Sequence, residues 1–185
     1  MRYKYGRAAI SAREKILIAV TLFSIVLAGV ALSSEKKIAQ SVTDLERASV
    51  NDLSTEGFVT VKPLADVQDG RGLISLTSDC YRVIAGTDEN QAESIRNGLD
   101  DVTGPRPNTH DLMRDLFDAL DIQLIMVKVT ELKGENFYGK VILQQGDIIL
   151  NLDSKPSDGI ALATRTGAPI YFNETLMVER GQKTC

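Results

Sequence analysis

The stretch IQLIMVKVTELKGENFYGKVILQQGDIILNL, residues 122–152, decides the fold. It contains three runs of β-forming residues, at 122–132, 137–144 and 148–152, separated by two short turns. Each turn holds a glycine, Gly134 or Gly146, and glycine supplies the backbone freedom that tight turns need. The stretch therefore predicts three antiparallel strands that follow one another as a meander.

Two helices are predicted beside this meander. Pro156 suits a first helical turn and Gly167 suits a C-terminal stop, with the small apolar run 160–163 between them to pack on a sheet. A second helix begins upstream, where Thr109 is a good N-cap. Its apolar stripe is formed by Leu112, Met113, Leu116, Phe117 and Leu120.

Further elements complete an α+β domain. Residues 58–67 predict a strand in which Pro63 indicates an edge or a bulge, and residues 73–84 are rich in β-formers. Thr87 is a suitable cap for a helix, and residues 168–172 predict a short strand before a last helix. The predicted fold is a mostly antiparallel sheet with helices packed on one side.

An apolar segment precedes this domain. Residues 16–32 contain no charge, and a membrane span needs about 17–25 apolar residues. We predict a basic cytoplasmic head at 1–15, a transmembrane anchor at 16–34 and a juxtamembrane linker or helix at 35–56. The domain, residues 57–185, would then lie outside a single-pass membrane protein. A cleaved signal peptide that releases a secreted protein is the alternative, with a small-residue site at Gly29-Val30-Ala31.

Charge and cysteine content narrow the function. Residues 57–185 carry 13 Lys and Arg against 19 Asp and Glu, so a nucleic-acid-binding domain would need a local basic patch. Two cysteines, Cys80 and Cys185, are too few for a disulfide framework; whether they pair stays open, and we predict Cys80 to be a small buried hydrophobe. One histidine with two separated cysteines excludes an ordinary zinc site, and no P-loop is present.

Two polar segments open predicted helices and gather ionisable groups. The first runs from Arg106 to Asp111 and contains the single histidine, His110. The second runs from Asp153 to Asp158. Helix N-termini attract anions, phosphate included. If the fold brings the segments together, they form a cleft of carboxylates, cations and one imidazole that suits a phosphodiester.

These segments resemble the signatures of the bifunctional nuclease family, whose small domains cleave both DNA and RNA. One family signature resembles R-P-x-T-H-D-L, and residues 106–112 read RPNTHDL. The other resembles D-x-R-P-S-D-A-I-A-L-A-x-R, and residues 153–165 read DSKPSDGIALATR. Lys155 replaces an arginine and loses its bidentate fork. Gly159 replaces an alanine, which we expect to loosen the first helical turn by about 1 kcal/mol.

The resemblance implies a nuclease, and the residue types suggest their roles. His110 is the acid/base candidate, while Asp111, Asp153 and Asp158 would orient it or hold Mg²⁺ or another divalent cation. The substrate-binding candidates are Arg106, Thr109, Lys155, Ser157 and Arg165. Capping is the alternative use of Thr109 and of the aspartates Asp111 and Asp158. The expected partner is DNA or RNA, and assembly into a homo-oligomer stays open.

The predicted function is a membrane-tethered nuclease with low sequence preference. The alternative is a non-enzymatic, membrane-anchored module that binds a partner or ligand in the same cleft. The acidic charge of the domain and Lys155 favour the binding module, whereas the paired motifs favour the nuclease.

Overall fold

The computed structural model describes residues 53–185 together with five helical residues, Arg13, Leu17, Thr21, Phe23 and Ser24. The chain divides after Leu45, and all elements below belong to the unit 46–185. The predicted basic head at 1–15, anchor at 16–34 and linker at 35–56 lie outside the described residues, apart from those five and residues 53–56. Within the described part of the chain, no helix combines the length and apolar character that crossing a membrane requires.

Residues 53–185 form nine strands and four helices. The strands are β1 (Phe58–Thr60), β2 (Lys62–Gln68), β3 (Arg71–Thr77), β4 (Tyr81–Thr87), β5 (Gln123–Lys133), β6 (Asn136–Gln145), β7 (Ile148–Ser154), β8 (Ile170–Asn173) and β9 (Gln182–Lys183). The helices are α1 (Glu89–Leu99), α2 (Thr109–Ala119), α3 (Pro156–Thr166) and α4 (Glu174–Arg180). The α+β class is confirmed.

The first sheet is mixed and contains the predicted meander. Its strand order is β1-β8-β5-β6-β7. Strands β5, β6 and β7 pair antiparallel, which confirms the meander, whereas β5 and β8 pair parallel. The parallel pair arises because α3 carries the chain across the sheet between β7 and β8.

A second sheet makes the prediction of one sheet wrong. Strands β2-β3-β4-β9 form a separate antiparallel sheet. The predicted strand 58–67 divides at Val61, whose buried side chain and N–H bond to the Ile170 carbonyl (3.0 Å) hold it at the first sheet. Pro63 lies in β2 at the edge of the second sheet, as predicted, because an edge strand tolerates a missing donor.

Helix α3 packs closely on the first sheet and also contacts α1, which covers β2 and β3. A Cβ atom added at Gly159 would lie 2.8 Å from Val127 Cγ1. Gly159 therefore permits the close approach of α3 to the sheet, a role that the expected loosening of the helical turn did not include. Gly167 ends α3 in the left-handed conformation (φ 74°), as predicted.

Two predicted caps are displaced by one residue. Asp88, not Thr87, precedes α1, because Thr87 still belongs to β4. Asn108, not Thr109, caps α2, since its side-chain oxygen accepts from the N–H groups of His110 and Asp111. The apolar stripe of α2 divides between core and solvent: Phe117 is buried and Met113 partly so, whereas Leu112, Leu116 and Leu120 are exposed.

The two cysteines form a disulfide, with an S–S distance of 2.14 Å. Cys80 is therefore half of a disulfide and only partly buried, so the prediction of a small buried hydrophobe is wrong. The pairing follows from the end of the chain, where β9 pairs with the start of β4 and the Thr184 N–H donates to the Cys80 carbonyl (2.9 Å). These bonds place Cys185 beside Cys80.

Candidate active site

An open cavity of about 500 Å³, here called the first cavity, lies where α1, α2, α3, β6 and β7 meet. Both predicted polar segments contribute to its wall. The first segment supplies Thr109 and His110, and the second supplies Asp153 and Asp158. The rest of the wall combines uncharged polar residues, among them Asn90, Gln91 and Ser94, with apolar ones, among them Met113, Phe117, Val141, Leu143, Leu152 and Leu162.

The imidazole of His110 lies between a serine and an aspartate. Its Nδ1 is 2.9 Å from Ser94 Oγ, and its Nε2 is 3.4 Å from Asp158 Oδ1. Burial lowers the pKa of His110 below its ordinary value of 6.5, although the Asp158 carboxylate acts in the opposite direction. His110 is therefore mainly neutral at pH 7.

The hydrogen bonds around Ser94 determine which imidazole nitrogen carries the proton. Ser94 Oγ accepts hydrogen bonds from Asn108 Nδ2 (3.1 Å) and from Arg165 Nη2 (3.1 Å). These two bonds occupy both lone pairs of the serine oxygen. Its hydroxyl hydrogen therefore donates to His110 Nδ1. The neutral imidazole then carries its proton on Nε2, the atom that faces Asp158.

Asp111 and Arg165 form a buried ion pair behind the imidazole. Arg165 Nε donates to Asp111 Oδ1 at 2.7 Å, and the side chains of Arg165 and Asp111 are only 3% and 4% exposed, respectively. Arg165 Nη1 also donates to the carbonyls of Ser94 and Ala161. Burial raises the pKa of Asp111, but the bonds from Arg165 and the Asn108 N–H outweigh burial and lower it. Neither side chain is placed to contact a substrate in the first cavity.

The remaining site candidates occupy three places. Thr109 is exposed on the wall of the first cavity. Lys155 and Ser157 line a neighbouring cavity, described below, and Asp153 lines both. Arg106 is exposed and lines neither cavity.

Sequence reasoning missed Ser94 and Asn108. Both connect α1 to α2 through the network that surrounds the imidazole. Asn108 lies inside the first motif, but its position there reads as an ordinary turn residue. The sequence offers one signal for Ser94: it is a small polar residue next to Ile95, on a helix that must be buried. Its partners are 14, 16 and 71 residues away, so no local pattern identifies them.

The first cavity has the oxygen donors that a hard divalent cation prefers. Asp153 and Asp158 line it, and no Lys or Arg among the described residues does. Within residues 53–185, no three His, Cys, Asp or Glu residues are grouped to hold a metal ion. Mg²⁺ is commonly held by one or two carboxylates together with substrate phosphates, and the Asp158 carboxylate, 3.4 Å from His110 Nε2 on this wall, fits such an ion.

Comparisons with known proteins agree on one family. A model of the bifunctional nuclease domain matches residues 82–184. An uncharacterized protein of Mycobacterium tuberculosis is 36% identical over 93 residues, which cover 50% of this chain and 55% of that protein. Bifunctional nuclease 1 of Oryza sativa subsp. japonica is 27% identical over 82 residues, 43% of this chain and 25% of that protein. The matched region thus spans about half of the mycobacterial relative and a quarter of the rice nuclease.

Proposed function

Because this chain belongs to the bifunctional nuclease domain family, we propose that it hydrolyses phosphodiester bonds of DNA and RNA with low sequence preference. The proposal is carried by the pair His110 and Asp158, which meet at 3.4 Å on the wall of an open, carboxylate-lined cavity. A positioned general base within reach of solvent is one requirement for hydrolysis of a phosphodiester, and here the imidazole of His110 positions the Asp158 carboxylate.

The protonation state of His110 decides which of the two side chains, His110 or Asp158, can accept a proton. Nδ1 is occupied by the Ser94 hydroxyl and Nε2 carries a hydrogen, so the neutral imidazole has no free lone pair for a proton. The Asp158 carboxylate, which is 41% exposed, is the acceptor for the proton of an attacking water. The water oxygen bonds to phosphorus, the bond to the leaving oxygen breaks, and that oxygen takes a proton from solvent. His110 orients Asp158 through its Nε2–H.

Asp158, whose carboxylate lies beside His110 on this wall, is the residue that would hold a divalent cation. When bound, Mg²⁺ supplies charge neutralisation on the non-bridging phosphate oxygens, for which the described wall of the first cavity offers no basic side chain. The protein's part is to present the Asp158 carboxylate, oriented by His110, beside apolar side chains of the same cavity.

The test is cleavage by the purified full chain. Single-stranded DNA, duplex DNA and RNA are incubated with and without Mg²⁺, in parallel with Asp158→Asn and His110→Ala. We expect Asp158→Asn to lower the rate by about 10²–10⁴-fold, the usual contribution of a general base. Cleavage by the wild type that does not exceed cleavage by Asp158→Asn would overturn the proposal.

The absence of a basic residue from the described wall of the first cavity favours a second candidate function. Carboxylates on a wall that no described Lys or Arg lines repel a polyanion. The alternative is therefore a non-enzymatic module that uses this cavity to bind a cation or a cationic ligand. Binding of such a ligand by a chain that leaves every nucleic acid intact would support it.

We further propose that the domain works in an oxidising compartment, tethered by the apolar segment at 16–34. The Cys80–Cys185 disulfide supports an oxidising location, because disulfides persist outside the reducing cytosol. Thiol labelling of intact cells tests this proposal: both cysteines should stay unlabelled until a reductant is added. Labelling of either cysteine without reductant would count against it, and recovery of the chain in the soluble fraction would count against the tether.

A further inference from the structure

A second cavity of about 580 Å³ adjoins the first. The two share Asp153 and Ser154, the last residues of β7, so these residues form the ridge between them. The second cavity lies between strands β3 and β4 of one sheet and the turn between β5 and β6 with the start of α3. Its volume falls within the range of small-molecule sites, about 300–1,000 Å³.

One part of this cavity suits an anion. Helix α3 begins here without a side-chain cap. Ser157, in its first turn, is only 4% exposed, and its hydroxyl oxygen has no hydrogen-bond partner. Buried hydroxyls normally find a partner, so this one is available to a ligand in the cavity whose wall it forms. Pro156 has no N–H and the Asp158 N–H already donates to the Lys155 carbonyl, so the helix contributes here mainly the partial positive charge of its dipole.

Lys155 adds a full positive charge beside Ser157. Its ammonium group lies 3.1 Å from Asp88 Oδ2, but the two side chains are 52% and 78% exposed. An exposed pair of this kind is weak and exchanges readily for another anion. Two carboxylates, Glu135 and Asp153, also line the cavity, so its anion-binding capacity is confined to the end formed by α3.

The opposite part of the cavity is aromatic and apolar. Tyr138 is 36% exposed; the ammonium group of Lys133, which does not line the cavity, lies over one face of its ring, 4.7 Å from the centroid, and leaves the other face for a base. Ile84, on β4, is an exposed aliphatic side chain on the same cavity. Exposed aromatic rings are the usual stacking partners of unpaired nucleobases.

We propose that the second cavity binds the nucleotide next to the scissile bond, with its phosphate at Lys155 and Ser157 and its base against Tyr138. The inference depends on the proposed nuclease function for its ligand. It also places Lys155, the one Lys or Arg among the described residues that line either cavity, at the phosphate of the bound nucleotide. The occupant is a single strand, since a base in a duplex cannot reach Tyr138 without unstacking.

The test measures binding rather than cleavage, so that its failure is separate from that of the proposed function. The full chain carrying Asp158→Asn serves as the cleavage-deficient background. The probes are a fluorescent oligothymidylate of about 12 nucleotides and an abasic strand of equal length, followed by fluorescence anisotropy. The variants are Tyr138→Ala, Tyr138→Phe, Lys155→Ala and Ser157→Ala. Lys62→Ala is the matched control, because it removes one exposed positive charge from β2, outside both cavities.

We expect Tyr138→Ala to raise the Kd for oligothymidylate at least about fivefold and to leave the abasic strand nearly unaffected, whereas Tyr138→Phe keeps the ring and the affinity. Lys155→Ala and Ser157→Ala should weaken both strands about fivefold, because they act on the phosphate. Overturning results are affinities of Tyr138→Ala and Lys155→Ala that match Lys62→Ala, or a background chain that binds no strand. Cleavage without these effects would leave the nuclease proposal intact and reject the second cavity as a subsite.

Discussion

The two carboxylate–cation pairs near the cavities differ in burial and therefore in what they do. Asp111–Arg165 lies behind the first cavity, nearly inaccessible to water, and each partner makes further hydrogen bonds. Lys155–Asp88 lies at the second cavity, exposed on both sides. The buried pair holds the helices that position His110, whereas the exposed pair leaves its lysine available. The difference shows that a basic residue in a nuclease-like motif need not contact the substrate.

The largest expected effect is a difference in how much the two ion pairs contribute to the free energy of unfolding. Arg165→Met should lower the free energy of unfolding by about 3–5 kcal/mol, because Asp111 is left as a buried charge without a counter-ion. Lys155→Met should change it by less than about 1 kcal/mol. Urea unfolding of the full chain measures both. Similar losses from the two variants would contradict the distinction.

The next effect concerns α3, which supplies residues to both cavities. Gly159→Ala should destabilise the protein by about 1–3 kcal/mol, because the new methyl group overlaps the buried Val127. Gly86→Ala is the matched control, since a Cβ atom there meets nothing within 4 Å. A stabilised Gly159→Ala would mean that helix propensity outweighs packing at this contact.

A smaller effect, on the rate of cleavage, tests the role of Ser94 at the back wall of the first cavity. Ser94→Ala should lower kcat about tenfold, or about 1.4 kcal/mol, the size of one lost hydrogen bond. It should leave KM nearly unchanged, because Ser94 positions His110 and does not reach the nucleotide. The ¹⁵N shifts of the imidazole should also lose the Nε2–H preference, which a purely structural loss would not alter. Ser75→Ala, which removes another serine hydroxyl outside both cavities, is the control.

The smallest effect is a pKa shift at the first cavity. His110 is the only histidine, so a tag-free chain gives one imidazole titration by NMR. Its pKa should lie below the ordinary value of about 6.5, and Asp158→Asn should lower it further, because Asp158 raises it. The unfolded chain then binds this proton more tightly, so His110 costs stability as the pH falls below about 6.5. A pKa above the ordinary value, or one that rises in Asp158→Asn, would contradict the geometry.

Local signals made much of the fold predictable. The meander follows from apolar runs separated by Gly134 and Gly146, and α3 follows from Pro156 and Gly167. The second sheet and the disulfide did not follow, because each depends on pairing between distant segments, such as β4 with β9. The N-cap of α2 was predicted one residue too late in the chain, because Asn108 and Thr109 are both suitable N-caps by residue type.

The candidate site was likewise predictable only in part. The motifs identified His110, Asp153 and Asp158 as chemical candidates, and the structure brings all three to one cavity. They could not show that Arg165 is turned inward to Asp111, or that Ser94 completes the network from another helix. Burial and partner, which decide the role of an ionisable group, are properties of the packed chain.

By itself, the sequence determined the family, the meander and which residues carry reactive groups, because turn residues, periodicity and motif spacing are local properties of the chain. Only the tertiary structure decided which of those groups face water, which hold one another, and that the ridge at Asp153 and Ser154 separates an acidic cavity from one with a lysine and an aromatic ring. The reason is physical: the charge state and availability of a side chain depend on its desolvation and its neighbours, and both arise when distant segments pack together.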